Sequence, residues 1–299
     1  MRWLAGCLLG LAAGAALAQS TSAPTLPGED WRVWALRMDK AQRALNYDAT
    51  LVIDSGNDDW ELFEVSQRIG PAGPEQQWVA QNGAGRRQVR TAQGISVLSS
   101  EGDQRIGQGP QFRAGPLLAA LDQSYEVAVD ARDRVAGRRA VRLSLQPRHP
   151  DRYGLRVWID VDTGLPLRSE RRAYDQSPLE RRMVTRLAVL GFAGSPVPGS
   201  TPSSIPSDWK LPAGFQLVGS ALAVPGLAGA HHWVLSDGVA WVSVYRLNLP
   251  PGKVIETEGW RHGALGQVTL RNGEDWYYVL GDLPQATLRR VGEAAMPAD

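Results

Sequence analysis

Four histidines and one cysteine are the side chains of this 299-residue chain best suited to metal or nucleophilic chemistry. They are His149, His231, His232, His262 and Cys7. His231 and His232 are adjacent on a predicted strand, where neighbouring side chains point to opposite faces and cannot simply share one metal ion. No His-x₃-His or His-Glu-x-x-His spacing occurs in the chain. We therefore predict a protein that is not an enzyme and that uses no metal or cofactor.

Ser236-Asp237 is a second candidate for catalytic chemistry, because a serine can act as a nucleophile. It lacks the glycine pattern of a nucleophile elbow, in which a strained turn exposes the serine. We interpret it as a turn between two strands whose aspartate hydrogen-bonds the local backbone.

Arginine supplies almost all of the positive charge, yet the formal net charge is only +1. A balanced charge gives no overall field that would attract nucleic acid, so we expect no nucleic-acid partner. The arginines are nonetheless concentrated, with fourteen of them between residues 132 and 186.

Four of these arginines occupy predicted polar-facing positions on successive strands. They are Arg142, Arg156, Arg168 and Arg182. Across a sheet they would form a positive row. Two interpretations stay open: an ordinary solvated face with cross-strand ion pairs, or a surface that recognises an acidic peptide or a lipid phosphate.

Trp158 belongs to the same polar-facing set by parity. An exposed tryptophan at this position would be an interface anchor. The alternative is that a helix covers this face of the sheet.

The elements that must position these residues are short strands with strict alternation. The predicted buried positions are Val141, Leu143, Leu145, Leu155, Val157, Ile159, Leu165 and Leu167. Asp162-Thr163-Gly164 predicts a tight turn before the last two of them, since glycine tolerates a positive φ.

A helix precedes the strands. Its apolar stripe is formed by Trp31, Trp34, Met38, Ala41 and Leu45. Asp30 is the predicted N-cap, and the first strand is predicted at residues 50–54.

A second helix is predicted at residues 112–125. Near the C-terminus, Asn272-Gly273 predicts a hairpin turn and Pro284 the start of a closing helix.

Composition divides the chain into four parts. Residues 1–18 have the charged, apolar and small-residue layout of a secretory signal peptide ending at Ala16-Leu17-Ala18. Residues 30–192 form the predicted large domain, 193–205 a linker rich in Gly, Pro and Ser, and 206–299 a smaller domain. Export predicts a periplasmic location.

Two blocks of sequence resemble the MucB/RseB family. The first block contains Val135–Arg138, Arg152–Gly154, Trp158–Asp160 and Thr163–Glu170, and the second contains Leu211–Phe215, Ser236–Ala240 and Val242–Val244. The resemblance extends from about Trp31 to about Ala295. It implies a β-rich α+β fold, with a large N-terminal half-barrel like that of lipoprotein carriers cupping helices, and a smaller C-terminal α+β domain.

The resemblance also implies a function. Members of the family restrain an envelope-stress sigma factor by binding the periplasmic domain of its membrane-spanning anti-sigma factor, which shields that partner from regulated proteolysis. A lipid or a lipopolysaccharide fragment is the implied releasing signal, its binding residues are unknown, and a homo-oligomer is compatible with the family. The alternative is a periplasmic lipid or lipoprotein carrier that uses the same half-barrel.

On this basis we expect the partner to contact two surfaces. They are the turn with Ser236, Asp237, Gly238 and Trp241 on the small domain, and the set Arg142, Arg156, Trp158 and Arg168 on the large domain.

Overall fold

The computed structural model of the chain describes residues 29–56, 60–91, 94–99, 102–106, 121–193, 209–221, 230–248 and 259–296. The predicted signal peptide lies outside them. So does the predicted linker, except for Ala193. Of the predicted second helix only residues 121–125 are described, and residues 121–124 are helical. The boundaries of these segments therefore stay predictions.

An eleven-stranded antiparallel sheet forms the large domain. Its strands are β1 (Leu45–Asp54), β2 (Trp60–Gly70), β3 (Gly73–Ala80), β4 (Arg86–Thr91), β5 (Gly94–Ser99), β6 (Gly102–Ile106), β7 (Tyr125–Val135), β8 (Arg138–Pro147), β9 (Gly154–Asp160), β10 (Pro166–Arg172) and β11 (Pro178–Phe192). Their order is β6-β5-β4-β3-β2-β1-β11-β10-β9-β8-β7. The chain therefore brings its first and last large-domain strands together at the centre of the sheet.

Helix α1 (Trp31–Ala44) covers one face of this sheet, which we call the helix face; the opposite one is the outer face. The Asp30 side chain accepts a hydrogen bond from the Arg32 backbone N–H at 2.9 Å, which confirms the predicted N-cap. The predicted start of β1 at residue 50 is wrong, because the helix passes directly into the strand at Leu45. Leu45 completes the helical apolar stripe and is also the first buried residue of the strand.

The predicted turn at Asp162-Thr163-Gly164 is confirmed and supports α1. Gly164 has φ +83°, and a Cβ placed there would lie 2.7 Å from the Arg37 carbonyl oxygen on the helix. Asp160 holds the turn from below: its Oδ2 accepts hydrogen bonds from Arg138 Nη2 at 2.8 Å and from the Thr163 backbone N–H at 3.2 Å. The Asp160 and Gly164 positions of the first family block therefore have a structural role, which is to support the packing of α1.

Changing Gly164 to alanine should therefore destabilise the large domain by about 2 kcal/mol, from the strained φ and the overlap with α1 together. Gly137→Ala is the matched control, since Gly137 has φ +75° but nothing within 4 Å of an added Cβ. That control should lose about 1 kcal/mol from backbone strain alone. Urea denaturation of both variants measures the difference, and equal losses would contradict close packing of α1 on the turn.

A six-stranded antiparallel sheet forms the small domain. Its strands are β12 (Gln216–Ala221), β13 (His231–Ser236), β14 (Trp241–Asn248), β15 (Trp260–His262), β16 (Leu265–Asn272) and β17 (Asp275–Gly281), in the order β12-β13-β14-β17-β16-β15. Helix α2 (Gln285–Ala294) follows Pro284 and packs Leu288 and Val291 on one face. Asn272 pairs with Asp275 around the predicted hairpin turn, which is confirmed.

Two antiparallel sheets with few helices confirm the predicted β-rich α+β class. Among the described residues, no helix has the length and apolar character needed to cross a membrane.

Candidate functional site

The two sequence blocks meet where the small domain packs on the large one. Arg152 Nη1 donates to Asp237 Oδ2 at 2.7 Å, and neither side chain is more than 2% exposed. Arg152 precedes β9 on the large domain, whereas Asp237 lies in the turn between β13 and β14 on the small domain. We call the contact region the seam, and its principal residues are Tyr125, Arg152, Arg171, Asp237, Val239 and Asp282.

Asp237 organises both sides of the seam. Its Oδ1 accepts the backbone N–H groups of Val239 at 2.9 Å and Ala240 at 2.8 Å, so the predicted local turn is confirmed. Its Oδ2 accepts the Tyr125 hydroxyl at 3.2 Å in addition to Arg152. One carboxylate therefore shapes the turn and attaches it to the other domain.

A second acid–arginine pair lies beside the first. Arg171, on β10, forms an ion pair with Asp282, which directly follows β17. The same guanidinium donates to the Val239 carbonyl oxygen at 2.8 Å, and Asp282 Oδ1 accepts the Trp241 backbone N–H at 2.7 Å. Both ends of the Asp237 turn are thus held by groups of the seam.

Apolar packing completes the contact. Val239, from the small domain, joins the hydrophobic core of the large domain beneath α1, with Trp31 and Tyr125 in the same cluster. The Ala213 carbonyl oxygen accepts Arg152 Nη2 at 3.0 Å. The seam therefore combines apolar packing of Val239 with buried ion pairs.

Burial raises the pKa values of three side chains in the seam. Removal from water raises the pKa of Asp237, although Arg152 opposes the shift. Burial raises the pKa of Asp282 to about 6 despite the nearby Arg171. Burial also raises the pKa of the Tyr125 hydroxyl, so this group stays a neutral donor to Asp237.

The predicted partner-binding turn is consequently not a free surface in this conformation. Ser236, Asp237 and Gly238 are buried, and Trp241 is half-buried. Direct contact between this turn and a partner would require the seam to open, and its role in binding stays a prediction. The contact between Arg152 and Asp237 was not predicted from the sequence; the one available signal is that each of these charged residues lies in a block of family sequence.

The predicted arginine row on the outer face is present but largely neutralised. Arg142 pairs with Asp130 at 2.7 Å, and Arg168 forms an ion pair with Glu170. Within the described part of the chain, Arg156 makes no hydrogen bond or ion pair. Burial, then repulsion from the neighbouring arginines, lowers its pKa.

Arg182 does not belong to this row, so that prediction is wrong. The strand register pairs Arg182 with Ser169 and Ile53, on the helix face, and places Arg181 opposite Glu170 on the outer face. A register difference of one residue moves a side chain to the other face of a sheet.

Trp158 lies on the outer face as predicted, but it is only 3% exposed, so the predicted exposed position is wrong. Arginine side chains cover it: the guanidinium carbons of Arg168 and Arg142 lie 4.4 and 5.6 Å from the ring centroid. Trp158 Nε1 donates to Asp133 Oδ2 at 3.1 Å. The ring is part of a local core, and its role as a partner anchor stays a prediction.

The two neighbouring histidines lie in separate environments, as predicted from their side chains pointing to opposite faces of the strand. His232 is buried, stacks on Tyr245 with ring centroids 4.1 Å apart, and has a pKa lowered to about 4 by burial. His231 stacks on Trp233. The described residues contain no group of three or more potential metal-ligating side chains.

Two family models match consecutive parts of the chain. The MucB/RseB N-terminal domain matches residues 30–208, and the MucB/RseB C-terminal domain matches residues 204–296. The sigma factor AlgU regulatory protein MucB of Pseudomonas aeruginosa is 28% identical over an alignment of 301 positions, and the match covers 92% of this chain and 93% of that protein.

Solved structures show a similar fold. The complex structure of Pseudomonas aeruginosa MucA/MucB matches with a TM-score of 0.65 at 24% identity, and a structure of MucB in complex with MucA(peri) matches with a TM-score of 0.61 at 25% identity. Each match covers 88% of this chain and 97% of the compared chain.

Proposed function

We propose that this chain, which belongs to the MucB/RseB family, is a periplasmic negative regulator of an envelope-stress sigma factor that binds the periplasmic segment of an anti-sigma factor. The observation that carries the proposal is the match of both family domains along nearly the whole chain. The similar Pseudomonas protein is a sigma factor regulatory protein, and a MucB has been solved with MucA(peri).

In this proposal the bound segment is shielded from the protease that begins regulated proteolysis, and a lipid-like signal releases it. Export through the predicted signal peptide places the protein in the periplasm. The protein acts by binding alone and catalyses no reaction.

The alternative function, a lipid carrier, is not supported by the packing of α1 on the sheet, which leaves little space for a lipid. The apolar cleft between this helix and the sheet, lined by residues such as Trp31, Met38 and Leu143, encloses about 10 Å³. That space holds about one water molecule. An acyl chain could enter between α1 and the sheet only if the helix moved.

Arg156 is the cation on the outer face through which we propose that an acidic partner segment binds. Its neighbours Arg142 and Arg168 already hold carboxylates of the same sheet, so their net attraction for a partner is small. Arg156 is half-buried and makes no hydrogen bond or ion pair among the described residues, although Glu170 lies opposite it on β10 and attracts it. A carboxylate bound there would be partly desolvated. Charge-assisted hydrogen bonds of this kind contribute about 1.5–3 kcal/mol.

Arg156→Glu should therefore weaken binding of the cognate anti-sigma periplasmic segment by roughly 10- to 100-fold. It should also flatten the dependence of affinity on salt. The measurement is a binding titration by calorimetry at two salt concentrations, with far-ultraviolet circular dichroism to show that each variant is folded.

Arg139→Glu serves as the charge-matched control, because Arg139 is 70% exposed in a hairpin and lies outside the row. It should bind the partner nearly as tightly as the unchanged protein. If Arg156→Glu also leaves the affinity and the salt slope unchanged, the row is an ordinary solvated face. If the unchanged protein does not bind the segment at all, the proposed function is wrong.

A further inference from the structure

The seam holds two carboxylates inside the protein, although water is the preferred environment for both. Asp237 and Asp282 are buried with one arginine each, Arg152 and Arg171. Transfer of charge from water into a protein interior is expensive, and a buried ion pair recovers only part of that free energy. The two ion pairs alone are therefore weak evidence for a stable contact.

We propose that the seam is a proton-controlled latch between the two domains, and that it closes more tightly as the surrounding pH falls. This inference goes beyond the proposed function and does not depend on it. It rests on where the two carboxylates lie: each is buried when the domains are docked and would meet water when they separate.

The charged and titratable groups that face the two carboxylates come from both domains. Asp237 is faced by Arg152, Tyr125 and Asp282, and Asp151 forms an ion pair with Arg152. Asp282 is faced by Arg171, Asp237, Tyr125, Tyr153 and Arg182. The arginines favour the ionised acids, whereas burial and the repulsion between the two carboxylates favour protonation. Burial is the largest influence on each acid.

The direction of the pH effect follows from these shifts. In the closed seam the pKa of Asp282 is about 6, and in an open seam it returns towards the ordinary aspartate value near 3.8. Between these two values the closed state binds more protons, so falling pH favours closure. The stabilisation is complete below about pH 4 and is lost as pH rises through about 6; the raised pKa of Asp237 acts in the same direction.

Protonation leaves the other contacts of the seam in place. Arg171 still donates to the Val239 carbonyl oxygen, and a protonated Asp282 retains an oxygen that accepts the Trp241 N–H. A shift of about two pKa units corresponds to roughly a 100-fold change in the ratio of open to closed molecules. At neutral pH the burial of two ionised groups opposes closure, so the turn beside Val239 becomes accessible more often.

A distance measurement between the domains tests the latch. Spin labels are placed on Arg139→Cys in the large domain and Glu274→Cys in the small domain, both exposed, with Cys7→Ser to remove the natural cysteine. The distance distribution of the full chain is recorded at pH 7.5, 6.0 and 4.5. We expect two populations, and the more separated one should decrease by ten- to 100-fold on acidification, with a midpoint near pH 6.

Asp282→Asn removes the titrating group but keeps an oxygen that can accept the Trp241 N–H. In this variant the populations should respond much less to pH between 4.5 and 6.0, where the unchanged protein should show most of its response. Asp175→Asn is the control, because Asp175 is an exposed aspartate in a large-domain turn, and it should respond like the unchanged protein. If Asp282→Asn does not fold, Asp237→Asn replaces it, with the same expectation of a weaker response at pH 4.5–6.0.

Three results would overturn the proposal. They are a single unchanging distance at every pH, a separation that increases on acidification, and a full pH response in folded Asp282→Asn. Each can be read without any partner protein, so failure of the latch and failure of the proposed partner binding are distinguishable.

Discussion

Replacing Arg152 with alanine is expected to weaken docking of the two domains by about 3–5 kcal/mol, because it leaves the buried Asp237 carboxylate without its cation. Arg152 also donates to the Ala213 carbonyl oxygen, so the variant loses a second contact across the seam. The domains should then unfold in two separate urea transitions. Circular dichroism with tryptophan fluorescence measures this, since both sheets contain tryptophans.

Two further variants identify the cause. Arg152→Leu combined with Asp237→Asn removes both charges and keeps an oxygen for the Val239 and Ala240 N–H groups, so it should recover much of the loss. Arg148→Ala is the control, because Arg148 is exposed and pairs with an exposed Glu126; it should change stability by less than about 0.5 kcal/mol. A single unchanged transition in Arg152→Ala would show that this pair does not hold the seam.

Changing Trp158 to alanine is expected to lower the free energy of unfolding of the large domain by about 3–5 kcal/mol. The ring is buried in a cluster with Val135 and Leu167, and its removal would leave a cavity beneath two arginines. The arginines would also lose the aromatic face on which they stack. Urea denaturation monitored by circular dichroism measures the loss.

Trp60→Ala is the matched control, because Trp60 is 54% exposed on the same face of the sheet. Its loss should change stability by less than about 0.5 kcal/mol. If the two substitutions have similar effects, Trp158 is not a core residue. If Trp158→Ala instead leaves stability intact and abolishes partner binding, the earlier interpretation as an interface anchor is right.

Strand periodicity predicted the strands around residues 141–167 because it reports which side chains share a face. Val141, Leu143 and Val157 are buried as predicted. The same argument placed Trp158 correctly but could not show its environment, because parity does not reveal whether long neighbouring side chains fold over a ring. The Arg182 prediction failed for another reason, since pairing register depends on turns and bulges that alternation does not specify.

The seam shows the limit of local sequence patterns more clearly. The sequence predicted that Asp237 would hydrogen-bond its own turn, and it does. Its second set of partners, Tyr125 and Arg152, lies on another domain. Arg152 and Asp237 lie in two separate blocks of family sequence and Tyr125 lies in neither, so only the packing of the two domains shows that the three residues touch.

The pairing of β1 with β11 has a consequence for how the protein folds. Leu45 pairs with Phe192, so one side of β1 lacks its partner until the chain has been made almost to the end of the large domain. Contacts between such distant residues form slowly, and an unpaired strand edge can join the strands of other chains in the meantime. The newly made protein therefore passes through a stage in which its central strand is open to aggregation, and a chaperone that covers this edge would raise the yield of folded protein.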